Sequence, residues 1–217
     1  MRGLLVKDLR LLRNQKQFFF TVLVIAAVFA VAGQNLSFIM NYCSILAIFF
    51  TISTISYDEF NNGYAALFAM PITRKQYVME KYLFALLIGG GVWVAATLLG
   101  AAIGAARGME FVLAEWIVSS AAAFMAIWTL MMVMLPVNLK YGSEKSRTAS
   151  LVLTFAVFAG IVILAKYKPL TLAFQNAVAA LEQLSGAGLL LLGLAVLAVV
   201  TAISMAAGVH IMNKKQF

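Results

Sequence analysis

Charge is what this sequence has least of. Only 11% of its 217 residues are charged against 64% hydrophobic, and the mean hydropathy is +0.97. Soluble domains run at about 25% charged and about 45–50% apolar, and a fold of this size exposes too much surface to hide so large an apolar excess. A soluble enzyme is excluded, and lipid is the solvent for most of the chain. Cysteine is nearly absent as well. Cys43 stands alone, so no intrachain disulfide forms; inside an apolar run it reads as a small buried residue. With one histidine, His210, and no Cys/His/carboxylate cluster there is no metal site to expect. Neither GxxxxGK[ST] nor GxGxxG occurs, so no phosphate-cradling loop is encoded. No catalytic grouping stands out either. Asp58 and Glu59 are adjacent at a helix exit and are expected to be solvated, or paired with a neighbouring chain, rather than to act as acid and base. His210 is expected at the cytoplasmic end of the last helix, where the dipole favours an imidazolium.

Long apolar runs are what is present. A membrane-crossing helix needs about 20 apolar residues to cross about 30 Å of hydrocarbon, and six stretches meet or approach this: 18–33, 36–56, 82–106, 116–137, 149–165 and 187–209. Gly33-Gln34-Asn35 is a minimal turn joining the first two. The basic segment before residue 18 resembles the start of a signal peptide but lacks a small-residue cleavage site, and reads as retained. The net charge of +8 sits at the ends of the apolar runs, which points to a membrane rather than nucleic acid. With the N-terminus in the cytoplasm, 13 of the 16 Lys and Arg residues fall on cytoplasmic segments, leaving Arg107, Lys166 and Lys168 outside. Both termini are then cytoplasmic. None of the six stretches contains Asp, Glu, Lys or Arg. Ion-coupled carriers usually place an ionisable group or a broken helix at the midplane, so energy for uphill movement is expected to enter from outside the bilayer.

Residues 57–81 carry the most information. Phe60, Tyr64, Leu67 and Phe68 fall on one face of a short helix, with Asn61, Asn62 and alanines opposite. Pro71 ends it by restricting Met70 and lacking a backbone donor. Thr73 opens the next helix with Gln76 at capping-box spacing. The residues alone leave two readings: an interfacial helix lying on lipid, or a peg seating aromatic side chains in a groove of another protein.

The order of elements resembles the permease subunits of ABC-2-type exporters, particularly small six-span ones whose ATPase is a separate chain. The resemblance rests on a basic N-terminal helix, on Asp58, Glu59 and Gly63 after the second span, and on the run Leu67-Phe68-Ala69-Met70-Pro71-Ile72-Thr73-Arg74-Lys75-Gln76-Tyr77-Val78, then Lys81-Tyr82-Leu83. It implies an all-α polytopic membrane protein with one permease domain over residues 1–217. In that reading residues 1–17 form an interfacial helix, and residues 57–75 contain the coupling helix between spans two and three. Residues 166–186 form external re-entrant helices between the last two spans. Phe60, Asn61, Asn62, Gly63, Tyr64, Leu67, Phe68 and Met70 would contact the ATPase, with the helix face left open. The chain itself would be no enzyme and hold no cofactor, ATP and magnesium belonging to the partner. A second permease copy, identical or related, would complete a pathway for amphipathic or hydrophobic substrates in a bacterial plasma membrane. Among small members the likeness leans to exporters of amphipathic peptides such as phenol-soluble modulins. The competing readings are a self-contained channel or ion-coupled carrier, and a non-transporting scaffold.

Elsewhere, Leu5, Leu9 and Leu12 form a stripe along residues 3–16, blurred by Leu4 and Leu11. Residues 140–147 are expected as a solvated cytoplasmic loop. Gly89-Gly90-Gly91 and the Gly100/Gly104 pair permit close helix approach, within the subunit or between copies.

Overall fold

In a computed structural model the described residues are 2–31, 36–60, 63–108, 113–166 and 186–215. They form seven helices and no strand: α1 (Arg2–Asn14), α2 (Lys16–Val31), α3 (Leu36–Glu59), α4 (Gly63–Phe68), α5 (Arg74–Ala106), α6 (Leu113–Lys166) and α7 (Gly186–Lys214). The turn at 33–35, residues Asn61 and Asn62, and nearly all of the 166–186 segment lie outside the described residues. Among the described residues three helices are long and apolar enough to cross a membrane, Arg74–Ala106, Glu115–Gly142 and Gly188–Lys214.

The starts and stops follow from local chemistry. Thr73 caps α5 as its spacing with Gln76 predicts: the Thr73 hydroxyl accepts from the Gln76 amide at 3.2 Å, and Gln76 Oε1 accepts from the Thr73 amide at 3.1 Å. Gly63 starts α4 because the chain doubles back there; a Cβ would sit 2.5 Å from the Asp58 carbonyl oxygen. At 33 residues α5 is about 50 Å long, well beyond the hydrocarbon thickness. The sequence expectation starts the span at Tyr82, which puts Tyr77, Glu80 and Lys81, in the first two turns of α5, ahead of it.

The structure adds detail to two sequence expectations. In the expected polar segment 140–147 two helical stretches of α6 meet at a non-helical residue, Gly142, which adopts φ +74°. Lys140, Tyr141 and Lys145 are exposed there, as expected, but Gly142 and Ser146 are buried. The inward stripe of α1 is Leu4 and Asp8, both buried, whereas Leu9 is exposed. The charged Asp8 is inside because partners wait there.

Packing centres on α3, α5, α6 and α7. Tyr77, Val78, Phe84, Met131, Leu135, Leu139 and Met212 are fully buried. Gly100 lets α6 approach within the subunit, since a Cβ there would lie 2.7 Å from the Trp116 ring. Pro136 in α6 cannot donate to the Met132 carbonyl four residues back. The Ser204 hydroxyl of α7 donates to that carbonyl instead, and lies 2.6 Å from the Tyr82 hydroxyl. The break in one helix is thus satisfied by two others, as a low-dielectric surround demands.

Candidate functional site

The helix ends around α4 are drawn together by two charged groups of residues, with α4 lying against both. The first joins α1, α3 and α5. Lys81 Nζ is 2.5 Å from Asp8 Oδ2, 2.8 Å from Asp58 Oδ2 and 3.9 Å from Glu80 Oε2, and it donates to the Thr54 hydroxyl at 3.1 Å. Lys7 pairs with Asp58 Oδ1 and lies 3.2 Å from Asp8 Oδ1. The Tyr77 hydroxyl donates to Asp58 Oδ2 at 3.1 Å. Asp8, Glu80 and Lys81 side chains are wholly buried. Burial alone would strip the proton from Lys81, but Asp58, Asp8 and Glu80 outweigh it and hold its ammonium group charged beyond the ordinary lysine range. Burial raises the Tyr77 hydroxyl, with the nearby Tyr64 and Asp58 acting in the same direction.

Asp58 is therefore not solvated, and Glu59, partly exposed, also finds its partner within this chain. Asp58 is bound on both oxygens within this fold. Glu59 belongs to the second group, where Lys215 Nζ lies 3.4 Å from Glu59 Oε1 and 3.3 Å from the Leu139 carbonyl oxygen. The same ammonium sits 4.9 Å from the centre of the Tyr64 ring, a cation–π contact. Close by, Arg74 Nη1 donates to the carbonyls of Met212 and Asn213, both at 2.7 Å, closing the end of α7. His210, expected at that end, is exposed, and the closing contacts come from Arg74.

These contacts orient α4. Tyr64 stacks on Phe68 at 6.3 Å between ring centres and meets Tyr77 edge-on at 5.8 Å, as does Phe68. Tyr64 and Leu67 are buried in the core and Phe68 packs against it. Gly63 is half-buried. Phe60 at 73% and Met70 at 57% exposure face outward with Ala65, Ala66 and Ala69. Of the four residues expected on one face, Tyr64, Leu67 and Phe68 turn inward while Phe60, ahead of α4, does not, and the outward rim is apolar.

Sequence reasoning missed Asp8, Glu80 and Lys81. A signal for the first was available: Asp8 is the sole acidic residue before Asp58, placed four residues after Leu4 in a strongly basic helix. The Glu80-Lys81 pair directly before an uncharged span was a second.

Compared with known proteins, residues 3–213 match the family model described as ABC-2 family transporter protein. No curated protein and no solved structure matches the chain.

Proposed function

The chain belongs to the ABC-2 transporter family, and from that premise we propose that it is the membrane-spanning half of an exporter whose exposed α4 rim receives the ATPase. Membership makes it a membrane transport component and implies a partner ATP-binding subunit. The finer reading is ours. Six spans with both termini in the cytoplasm, in a bacterial plasma membrane, would pair with a second copy or a paralogue. ATP and magnesium would be held by the partner, and this chain would do no chemistry. The uncharged span sequences favour an amphipathic or hydrophobic cargo, with amphipathic peptides first.

The single observation behind this reading is the two-sidedness of α4. One side is anchored through Tyr64, Leu67 and Phe68 to α5. The residues leading into it, Asp58 and Glu59, are tied to α1, α5 and the end of α7. The other side is open. A short helix gripped in this manner cannot be pushed without moving its neighbours, because packed interfaces shift between discrete arrangements rather than deforming smoothly. Closure of the ATPases beneath α4 would then tilt the attached spans as rigid bodies and bias the pathway between its inward- and outward-open forms.

Charge placed on the rim tests the reading. Phe60→Asp and Met70→Asp should insert and fold normally yet fail to co-purify with the ATPase. Undiminished co-purification and undiminished stimulation of ATP hydrolysis in both variants would refute it. Transport by the isolated chain in vesicles without ATP would favour a self-contained carrier instead.

A further inference from the structure

Three carboxylates and two ammonium groups meet where α1, α3 and α5 touch: Asp8, Asp58 and Glu80 against Lys7 and Lys81. Fully ionised, the group carries one negative charge too many, in a place where Asp8, Glu80 and Lys81 have no access to water. An uncompensated buried charge is unfavourable enough that such groups normally neutralise. The individual oxygens show where the excess lies. Asp58 uses both of its own, Oδ1 with Lys7 and Oδ2 with Lys81 and Tyr77. Asp8 Oδ2 accepts from Lys81. Both Glu80 oxygens are buried without a hydrogen bond, and buried Asp8 Oδ1 has only the Lys7 ammonium at 3.2 Å, not aligned as a hydrogen bond. Both carboxyl groups flank the Lys81 ammonium group, Asp8 Oδ2 at 2.5 Å and Glu80 Oε2 at 3.9 Å. One proton on Glu80, donated towards Asp8, would supply the missing donor and cancel the surplus charge together.

We propose that Asp8 and Glu80 form a proton-binding site whose occupation completes the contact between α1 and α5. Lys7 and Asp8 face Glu80 from α1. Asp58 closes the group from α3, and Lys81 and Tyr77 come from α5 itself, with Tyr64 of α4 behind Tyr77. Burial, assisted by Asp8 and opposed by Lys81 and Lys7, raises the Glu80 carboxyl to about 7. Release is the simple ionisation of Glu80, the proton passing to water. It leaves two buried carboxylates facing each other across the seam between α1 and α5. The hold on α1, which also carries the Lys7 link to the residue preceding α4, then weakens as the medium becomes alkaline. This inference goes beyond the transport reading and does not depend on it.

The test uses the full chain in lipid nanodiscs without any ATPase, so its result is separate from that of the docking experiment. Infrared difference spectra should show the carbonyl stretch of a protonated carboxyl at about pH 6, falling about tenfold by about pH 8. Glu80→Gln and Asp8→Asn should each abolish the band, because either leaves two carboxylates against two ammonium groups. Each should also flatten the pH dependence of thermal stability. Either variant alone decides the matter if the other fails to fold. No pH-dependent carboxyl band in the unaltered chain, or a band that survives unchanged in a folded variant, overturns the proposal.

Discussion

The Glu59 carboxylate occupies the position where a side chain at residue 142 would begin. A Cβ at Gly142 would fall against the Glu59 carboxylate, and Lys215 fixes that carboxylate from its other side at 3.4 Å. Gly142 also holds φ +74° and ψ 178°, a region open essentially to glycine alone. The bend in α6 and the charge at the end of α3 thus depend on the same missing side chain. Gly142→Ala should lower stability by about 1–3 kcal/mol from backbone strain alone. Thermal unfolding in detergent measures it, with Gly90→Ala as a control, since a Cβ at Gly90 meets nothing within 4 Å. Equal melting of the two variants would remove this account of the bend.

Lys81 carries the greater cost. Its removal leaves Asp8, Asp58 and Glu80 sharing only Lys7, and breaking a buried ion pair from one side typically costs about 3–5 kcal/mol. Lys81→Met is expected to give little folded protein by size-exclusion chromatography. Adding Asp58→Asn should recover part of the loss by restoring the charge count. A Lys81→Met chain as stable as the original would show that the cluster contributes nothing to the fold.

Ser204 should matter more than a small serine in a membrane helix usually does. It serves the carbonyl that Pro136 leaves unpaired, and it meets the Tyr82 hydroxyl. Ser204→Ala strands two buried polar groups, with an expected loss of about 1–3 kcal/mol. Pro136→Ala in the same chain should return the part due to the Met132 carbonyl, which the α6 amide can then reach, but not the part due to the Tyr82 hydroxyl. The double-mutant cycle reads this coupling directly; strict additivity would rule it out.

Much of the architecture was legible because membrane segments obey one-dimensional rules. The α5 boundary at Thr73 follows from a four-residue capping pattern, and one side of α4 follows from Tyr64, Leu67 and Phe68 at helical spacing, whereas Phe60, expected on the same face, lies ahead of α4 and is exposed. The face of α4 was not legible. Periodicity shows that Tyr64, Leu67 and Phe68 share a side, but an apolar side can meet lipid, a partner or the fold's own core with equal chemistry. Tyr77, nine residues beyond Phe68 and across Pro71, decides it by meeting both rings. The hydrophilic stretch 140–147 was legible as a break between helices, but not the burial of Gly142 within it, because Glu59, which meets it, is distant in sequence.

The amino-acid order alone determined that this chain belongs in a membrane and that its long apolar runs are free of charge, because hydropathy is a sum along the chain. Only the tertiary structure decided which charges meet. Asp8, Asp58 and Lys81 are separated by dozens of residues, and ion pairing in a buried place depends on distances of a few ångströms that helix packing alone sets.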